Sequence, residues 1–307
     1  MSRNSSIFNP PAGDRRRAIL FVLGAAGTFT LSAVAVKALD GALPLAQVIL
    51  FRNLFALPLL FLLLARIGGL PALRPRVPWR FHAERVFWGL GGMVGAFYGY
   101  THLPLATATA LGFTMPLFLT ALSVVFLKER VGWRRWSAVA AGFGGVLIIV
   151  RPFSVDQALD PWAVALVLYG ALAWALAMMA IRRMGAAGES GVAIVIWFAI
   201  GSATVSAFVA IPLWVTPDAR QWALLAAIGA VSALAQLLMT EAYRRAETTL
   251  LAPFEYSGLV WTALLGIMIW SEWPDGWDLI GFAVLVAAGL FIWWRETRLQ
   301  RLAEPHA

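Results

Sequence analysis

Ten apolar runs, each near the length that a helix needs to cross a membrane, follow one another along the chain. Because the hydrocarbon core of a bilayer is about 30 Å thick, a helix needs roughly 20 residues to span it. Backbone amides find no partner in lipid, so only helices and closed barrels span it, and these runs are longer than barrel strands. They cover residues 18–37, 44–65, 84–100, 104–127, 135–150, 161–181, 191–214, 220–241, 249–270 and 277–294. We predict an all-α integral membrane protein with ten transmembrane helices.

The same framework of residues occurs twice in the chain, with a period of about 143 residues. Each copy holds five of the apolar runs, and a unit with an odd number of spans must enter the membrane upside down when it is duplicated in tandem. We therefore predict two inverted five-helix repeats at 18–151 and 161–296, a linker at 152–160, and cytoplasmic tails at 1–17 and 297–307. The framework residues are Glu129, Gly132, Trp133, Gly145, Ile148 and Arg151, repeated as Glu272, Gly276, Trp277, Gly289, Ile292 and Arg295.

Positive charges are distributed unevenly between the two sides of the predicted bundle. Twenty of the 24 Lys and Arg residues, Arg85 among them, fall in the tails or in the even-numbered turns, and the opposite side has Lys37, Arg151 and Arg220. Because cytoplasmic loops carry the excess of positive charge, we expect both termini in the cytoplasm. The net charge of +8 then reflects orientation and attraction to anionic membrane lipids, and not binding of nucleic acid.

The sequence lacks the motifs on which common enzymes depend. It contains no P-loop, no dinucleotide fingerprint, no HExxH pair and no cysteine. Its histidines, His82, His102 and His306, fall in predicted loops or in the tail, where they offer no intramembrane metal site. We expect a protein that is not an enzyme and has no cofactor or resident metal. With no nucleotide-binding domain, its energy must come from a gradient or an exchange.

Two charged residues lie inside predicted spans, where a charge is expensive. Arg52 falls in the second span and Glu255 in the ninth, just after Pro253. Arg52 is suited to bind a substrate carboxylate, and its alternative role is structural, pairing carbonyls at a helix break or reaching the interface. Glu255 is a candidate for contact with a substrate amine, for proton coupling or for gating, or else it bonds a neighbouring helix. Glu241, near the cytoplasmic end of the eighth span, is a second gating candidate.

Neutral polar and aromatic side chains accompany these charges in the predicted bundle. Gln236 falls within the eighth span, and Trp174 and Trp261 are tryptophans that fall well inside their spans. With Tyr98 and Tyr256 they predict an asymmetric cavity for an amphipathic solute, either aromatic or zwitterionic. Taken singly, each of these residues is more often part of ordinary packing.

Glycines cluster in the third and fifth predicted spans, where small residues let helix backbones approach closely. For the fifth span, the sequence leaves open both packing within one chain and a homodimer seam. The clusters are Gly89, Gly91, Gly92 and Gly95 in the third span and Gly142, Gly144 and Gly145 in the fifth.

The chain contains five distinctive segments, namely residues 51–52 (FR), 104–110 (PLATATA), 116–118 (PLF), 126–130 (FLKER) and 252–256 (APFEY). These segments resemble the EamA domain of the drug/metabolite transporter superfamily. The resemblance covers essentially the whole predicted bundle. It implies ten helices, an inverted repeat and a central cavity lined mainly by spans 1, 3, 4, 6, 8 and 9, with the fifth and tenth spans at the periphery.

The resemblance also implies a secondary transporter of the bacterial inner membrane that exposes its cavity alternately to the two sides of the membrane. Similar proteins in the family export amino acids, amines and opine metallophores, or carry S-adenosylmethionine or riboflavin. We expect export of an amino acid or an amino-acid-derived zwitterion, opine-metallophore-like solutes and S-adenosylmethionine included. The alternative within transport is uptake of riboflavin or another vitamin. From other classes, the alternatives are a lipid-acting membrane enzyme and a non-transporting scaffold.

Overall fold

A computed structural model describes residues 12–67, 69–126, 132–152, 159–245, 251 and 254–303. Within these ranges, helices are the only regular secondary structure. The long helices are α1 (Ala12–Ala38), α2 (Leu45–Ile67), α3 (Trp79–His102), α4 (Leu105–Gly112), α5 (Met115–Phe126), α6 (Trp133–Val150), α7 (Pro161–Ala186), α8 (Gly191–Ala210), α9 (Ala219–Arg245), α10 (Ser257–Trp270) and α11 (Gly276–Ala303). Short 3₁₀ helices occupy Leu70–Leu73 and Ile211–Leu213.

Seven helical segments of the described chain are long and apolar enough to cross a membrane. They confirm an all-α, multi-pass membrane protein, while the count of ten spans stays a prediction. Two of the remaining segments, Trp136–Val150 and Ser257–Trp270, are apolar but shorter. Helix α3 is long enough but less apolar, because Arg80, Glu84 and Arg85 lie in its first turns and several glycines follow.

The helices pack in pairs that are equivalent when the two copies of the repeat are exchanged. Helix α1 packs along α9, and α3 packs along α7. Because α7 is the second-copy counterpart of α1, and α9 that of α3, the two contacts are equivalent under exchange of the copies. Helix α2 packs along its own counterpart α8, and α6 packs along its counterpart α11. The contact pattern therefore has the symmetry that the duplicated sequence predicts.

The fourth predicted span is broken near its middle. Helix α4 ends at Gly112 and α5 begins at Met115, and the backbone turns at Phe113 and Thr114. The hydroxyl of Thr114 donates to the carbonyl of Leu111 at 2.7 Å and so satisfies a backbone acceptor that the break would otherwise leave open. In the second copy, α10 begins just after Tyr256, which is the repeat counterpart of Phe113. In both copies a helix thus begins just after this position.

Equivalent side chains tie the start of α2 and the start of α8 to distant loops. Gln47 exchanges two hydrogen bonds with the backbone of Val215, at 2.7 and 3.2 Å. Glu189, just before α8, accepts from the backbone N–H groups of Arg76 at 2.7 Å and Val77 at 3.1 Å. Each side chain therefore joins one copy to the loop between the second and third helices of the other copy, and the two joints lie at opposite ends of the bundle.

The end of the bundle opposite to Glu189 carries an ionic joint. Nζ of Lys37, at the end of α1, lies 2.6 Å from Oε1 of Glu272 and donates to the carbonyl of Leu103 at 2.8 Å. The other carboxylate oxygen of Glu272 accepts from the backbone N–H of Leu105 at 2.8 Å. Leu105 begins α4, and a carboxylate at a helix N-terminus is favoured by the helix dipole. Glu272 therefore joins the loop after α10 to α1 and α4.

Arg151 ends α6 and binds the start of α11. Its guanidinium donates to both carboxylate oxygens of Asp275, at 2.6 and 2.7 Å, and to Asp278 at 2.8 Å. The hydrogen bond from Arg151 holds the pKa of Asp275 below its usual value. Asp275 and Asp278 also accept from each other's backbone N–H, which caps α11. The repeat framework residue Arg151 thus has a structural role.

The predicted glycine contacts are present between α3 and α7. A Cβ added to Gly95 would collide with the carbonyl of Leu166 and the backbone of Gly170. In α6, a Cβ on Gly142 would collide with Leu117, and one on Gly145 would meet the carbonyl of Gly281 in α11 at 3.0 Å. This face of α6 is therefore used for packing within the chain, and a homodimer stays a prediction.

Candidate functional site

Arg52 lies seven residues after Leu45, roughly 10 Å along α2. Its Nη1 donates to Oδ1 of Asn53 at 3.3 Å and lies 3.3 Å from the sulfur of Met93 in α3. Asn53 is held in turn by its own helix, since its Nδ2 donates to the carbonyl of Ile49 at 2.8 Å. A buried amide therefore fixes one edge of the Arg52 guanidinium.

A small cavity of about 30 Å³ borders Arg52, which is room for about two water molecules. Helices α2, α3, α8 and α9 enclose it. Among its described lining residues are two cations and no carboxylate. The polar part of the wall consists of Arg52, Asn53, Arg85, Ser232 and Gln236. The apolar part consists of Ala56, Leu60, Val195, Phe198, Ala199 and Ala233.

The sequence analysis counted Arg85 among the cytoplasmic loop cations, and this was wrong. Arg85 lies six residues after Trp79, about 9 Å along α3, and is only 5% exposed. A Cβ on Gly89 would collide with Nη1 of Arg85 and with the ring of Phe198. The guanidinium therefore fills the space over Gly89, one turn further into the bundle, instead of reaching back to the interface as an amphipathic side chain commonly does.

Two of the predicted site residues lie with Arg52 and Arg85. Gln236, on α9, lines the same cavity. The ring of Trp174, on α7, has its centroid 5.6 Å from Cζ of Arg85, while that of Phe198, on α8, is at 3.9 Å. Both distances fall within the range of cation–π attraction. Arg52 and Gln236 thus line the cavity, and Trp174 contacts Arg85, which also lines it.

Glu255 and Tyr256 lie elsewhere, before α10. Glu255 is half-buried and is not among the residues that line the cavity. The ring of Tyr256 packs against that of Phe113, with centroids 4.8 Å apart, and its hydroxyl lies against Gly289 of α11. Arg52 and Glu255 therefore have different surroundings.

The remaining predicted site residues do not line the cavity. Tyr98 stacks on His102, one turn away in α3, with ring centroids 3.8 Å apart and planes at 6°. Trp261 is 44% exposed and lies near Gly27 of α1. Glu241 falls on α9, but its side chain lies outside the described part of the chain.

The sequence analysis missed Arg85, Asn53 and Ser232 as residues of this site. Ser232 shares a 2.8 Å hydrogen bond with Ser32, which links α9 to α1. Arg85 did carry a signal, because Gly89 follows it by four residues and leaves space on the same helix face. In the described ranges, acidic, histidine and cysteine side chains form no group that could hold a metal ion.

A family comparison matches nearly the entire chain. The model of the EamA-like transporter family matches residues 16–151 and again residues 161–294. The two matches cover both copies of the sequence framework. The cavity lies between helices of the two copies, since α2 and α3 belong to the first match and α8 and α9 to the second.

Similar proteins carry three different substrate names. The pseudopaline exporter of Pseudomonas aeruginosa is 34% identical over 88% of this chain and 93% of its own length. The S-adenosylmethionine uptake transporter of Rickettsia felis is 33% identical over 67% of this chain and 69% of its own. The riboflavin transporter of Rhizobium johnstonii is 32% identical over 82% of this chain and 80% of its own. These names differ in both solute and direction.

A solved crystal structure has the same fold. It is 19% identical, has a TM-score of 0.64, and is matched over 94% of this chain and 99% of that chain. At this identity the likeness concerns the arrangement of helices alone.

Proposed function

Because the chain belongs to the EamA-like transporter family, we propose that it is a secondary active transporter that exports a carboxylate-bearing solute derived from an amino acid. It works in a bacterial inner membrane with both termini in the cytoplasm. The two inverted copies rock against each other and expose the cavity to one side at a time.

The position of Arg52 inside α2, beside the cavity, supports this proposal most directly. A guanidinium inside a transmembrane segment is expensive unless an anion or a set of acceptors accompanies it. Among the described residues, Arg52 has one side-chain oxygen partner, Oδ1 of Asn53, at the long distance of 3.3 Å, and it borders a cavity with Ser232 and Gln236. An arginine binds a carboxylate through two parallel hydrogen bonds, which gives both affinity and orientation.

The size of the cavity supports a cycle of several states. Sites for small molecules commonly measure about 300–1,000 Å³. The described cavity, at about 30 Å³, is an order of magnitude smaller. An organic solute therefore requires α2 and α3 to separate from α8 and α9, which is the movement that alternating access supplies.

Uptake of riboflavin or another vitamin is the second candidate. It is favoured by the two aromatic rings beside the cavity, those of Trp174 and Phe198. Such rings stack on flat aromatic solutes, and one of the similar proteins is named a riboflavin transporter. S-adenosylmethionine, which also bears a carboxylate, belongs with the first candidate.

The test is counterflow in proteoliposomes with the full-length protein. Vesicles loaded with one unlabelled solute are offered the same solute labelled, for a panel of amino acids, an opine-type metallophore, S-adenosylmethionine and riboflavin. We expect exchange of at least one carboxylate-bearing amino-acid derivative and a loss of at least about 10-fold in Arg52→Gln, from the loss of a charge-assisted bond. The exposed Arg220, changed to Gln, is the matched control and keeps wild-type exchange.

Three results would contradict this assignment. Exchange of riboflavin alone favours the second candidate. Exchange of no solute, with a folded protein, favours a scaffold or a lipid-acting enzyme. Exchange that Arg52→Gln leaves unchanged shows that Arg52 supports the fold and does not bind the solute.

A further inference from the structure

The cavity contains a buried cation that the described residues leave partly unsatisfied. Arg85 is 5% exposed, and neither its Nε nor its Nη1 has a hydrogen-bond partner in the described part of the chain. Its contacts with Phe198 and Trp174 stabilise the charge through the faces of the rings. They do not supply oxygen acceptors for N–H donors, and a buried charged donor without an acceptor is destabilising.

The two guanidinium groups lie along one face of α3. Nη1 of Arg85 occupies the space over Gly89, and Nη1 of Arg52 lies beside Met93. Positions 89 and 93 are four residues apart, which is roughly 6 Å along a helix. Like charges this close repel each other. An anion between them would remove the repulsion and fill the open donors at the same time.

We propose that Arg52 and Arg85 together bind a solute that carries two carboxylates, one for each guanidinium. This inference deepens the proposed function and rests on it, because it assigns the same cavity to the transported solute. Ser232 and Gln236, which line the cavity on α9, face the part of the solute between its carboxylates.

The charges of the wall select among the solutes that the family comparison leaves open. A simple zwitterion brings an amine as well as a carboxylate, and the described cavity wall has no carboxylate to receive the amine. The second guanidinium repels it. The chemistry therefore fits a dicarboxylic amino acid or an opine-type diacid, in which two acidic groups outnumber the single amine.

The experiment compares each diacid with its own monoamide as competitors in the counterflow assay. The probes are glutamate against glutamine, aspartate against asparagine, and an opine-type diacid against its monoamide. These pairs have nearly the same shape and differ in one negative charge. For the wild type we expect at least one diacid to inhibit at a concentration about 10- to 100-fold lower than its monoamide, the range of a charged hydrogen bond.

Variants on α3 test whether Arg85 reads the second carboxylate. In Arg85→Gln the preference for the diacid should fall to near unity, while exchange of monocarboxylates persists through Arg52. The control is Arg80→Gln, which changes an exposed arginine on the same helix and should keep the wild-type preference for the diacid. If Arg85→Gln does not fold, Arg85→Lys decides, because it keeps the charge, loses the planar fork and should weaken the preference.

The outcomes separate this inference from the proposed function. Equal inhibition by diacid and monoamide in the wild type overturns the inference but leaves carboxylate transport intact. A full preference retained in Arg85→Gln, or in Arg85→Lys where that variant is needed, overturns it as well. Exchange of no carboxylate-bearing solute contradicts the proposed function and the inference together.

Discussion

Phe113 and Tyr256, which are repeat counterparts, touch each other with ring centroids 4.8 Å apart. Each lies just before the start of a helix, α5 in one case and α10 in the other. A residue that contacts its own counterpart lies close to the axis that relates the two copies. The pair is therefore a joint between the halves at a point where both backbones are already bent.

Phe113→Leu and Tyr256→Leu should be energetically coupled. Each single change removes the ring pair, so the second change adds little, and we expect a coupling of about 0.5–1.5 kcal/mol. The measurement is denaturation of the detergent-solubilised protein for the wild type, both single variants and the double variant. Strict additivity of the two effects would show that the rings contribute nothing to each other.

Gly95→Ala should destabilise the protein strongly. The added methyl group meets backbone atoms of Leu166 and Gly170, which cannot move aside as a flexible side chain would, so α3 and α7 must separate. Overpacking of this kind costs about 1–3 kcal/mol. Gly144→Ala is the control, since a Cβ there has no described neighbour within 4 Å. The midpoint of thermal unfolding should be lowered for Gly95→Ala and unchanged for Gly144→Ala.

Glu272→Gln should weaken closure of the bundle end that carries the Lys37 joint. The substitution removes the charge that holds Lys37 and the N–H of Leu105. Because the chain has no cysteine, Ser32→Cys provides a single reporter next to the cavity residue Ser232. We expect a membrane-impermeant thiol reagent, added from that side, to label it several-fold faster when Glu272→Gln is also present.

The control for this experiment is Asp218→Asn, which changes an exposed carboxylate at the same end of the bundle. Its labelling rate should equal that of the parent. An equal rate in the Glu272→Gln background would mean that the ionic joint does not limit access to the cavity.

Glu189 should make stability depend on pH. Burial alone would raise the pKa of its carboxyl group, but hydrogen bonds from the backbone N–H groups of Arg76, Ser190 and Val77 and contact with His82 outweigh it, and the pKa is lowered. A lowered pKa in the folded state contributes stability that is fully present above the ordinary value of about 4.3 and is lost as the pH falls through the folded value.

The measurement is the unfolding midpoint of the wild type and Glu189→Gln as a function of pH. The difference should be largest near neutral pH and shrink below about pH 4. Glu84→Gln, which changes a half-exposed ion pair with Arg183, is the control and should have little effect. A difference that stays constant down to low pH would show that the hydrogen bonds do not depend on the charge of Glu189.

The membrane class, the helical fold and the family could be read from the sequence because each rests on long-range patterns. The lengths of the apolar runs and the repeated framework do not depend on individual side-chain contacts. The family comparison confirms the resemblance seen in segments such as 104–110. The joints were harder to see. The sequence does not show that Glu272 caps α4, since that contact depends on how segments from different copies meet in the fold.

Arg85 shows why the candidate site was only partly predictable. Depth in the membrane was judged from chain position, which put Arg85 at the edge of its span, whereas the direction of its side chain depends on Gly89 and Phe198. Arg52 was found because its span is apolar on both sides. All the roles assigned from the sequence stay predictions, namely those of Arg52, Tyr98, Trp174, Gln236, Glu241, Glu255, Tyr256 and Trp261.

With the proposed diacid site, we expect the buried charge of Arg85 to affect the rates of the transport cycle. A carrier with two cations in its site moves uncompensated charge through the membrane field when it changes state empty, and an elementary charge crossing the full field is worth about 2.3 kcal/mol per 100 mV. A solute with two carboxylates and one ammonium group has a net charge of −1 and so offsets part of that charge, and the loaded carrier should change state more readily than the empty one. We therefore expect exchange of solute across the membrane to be faster than its net efflux.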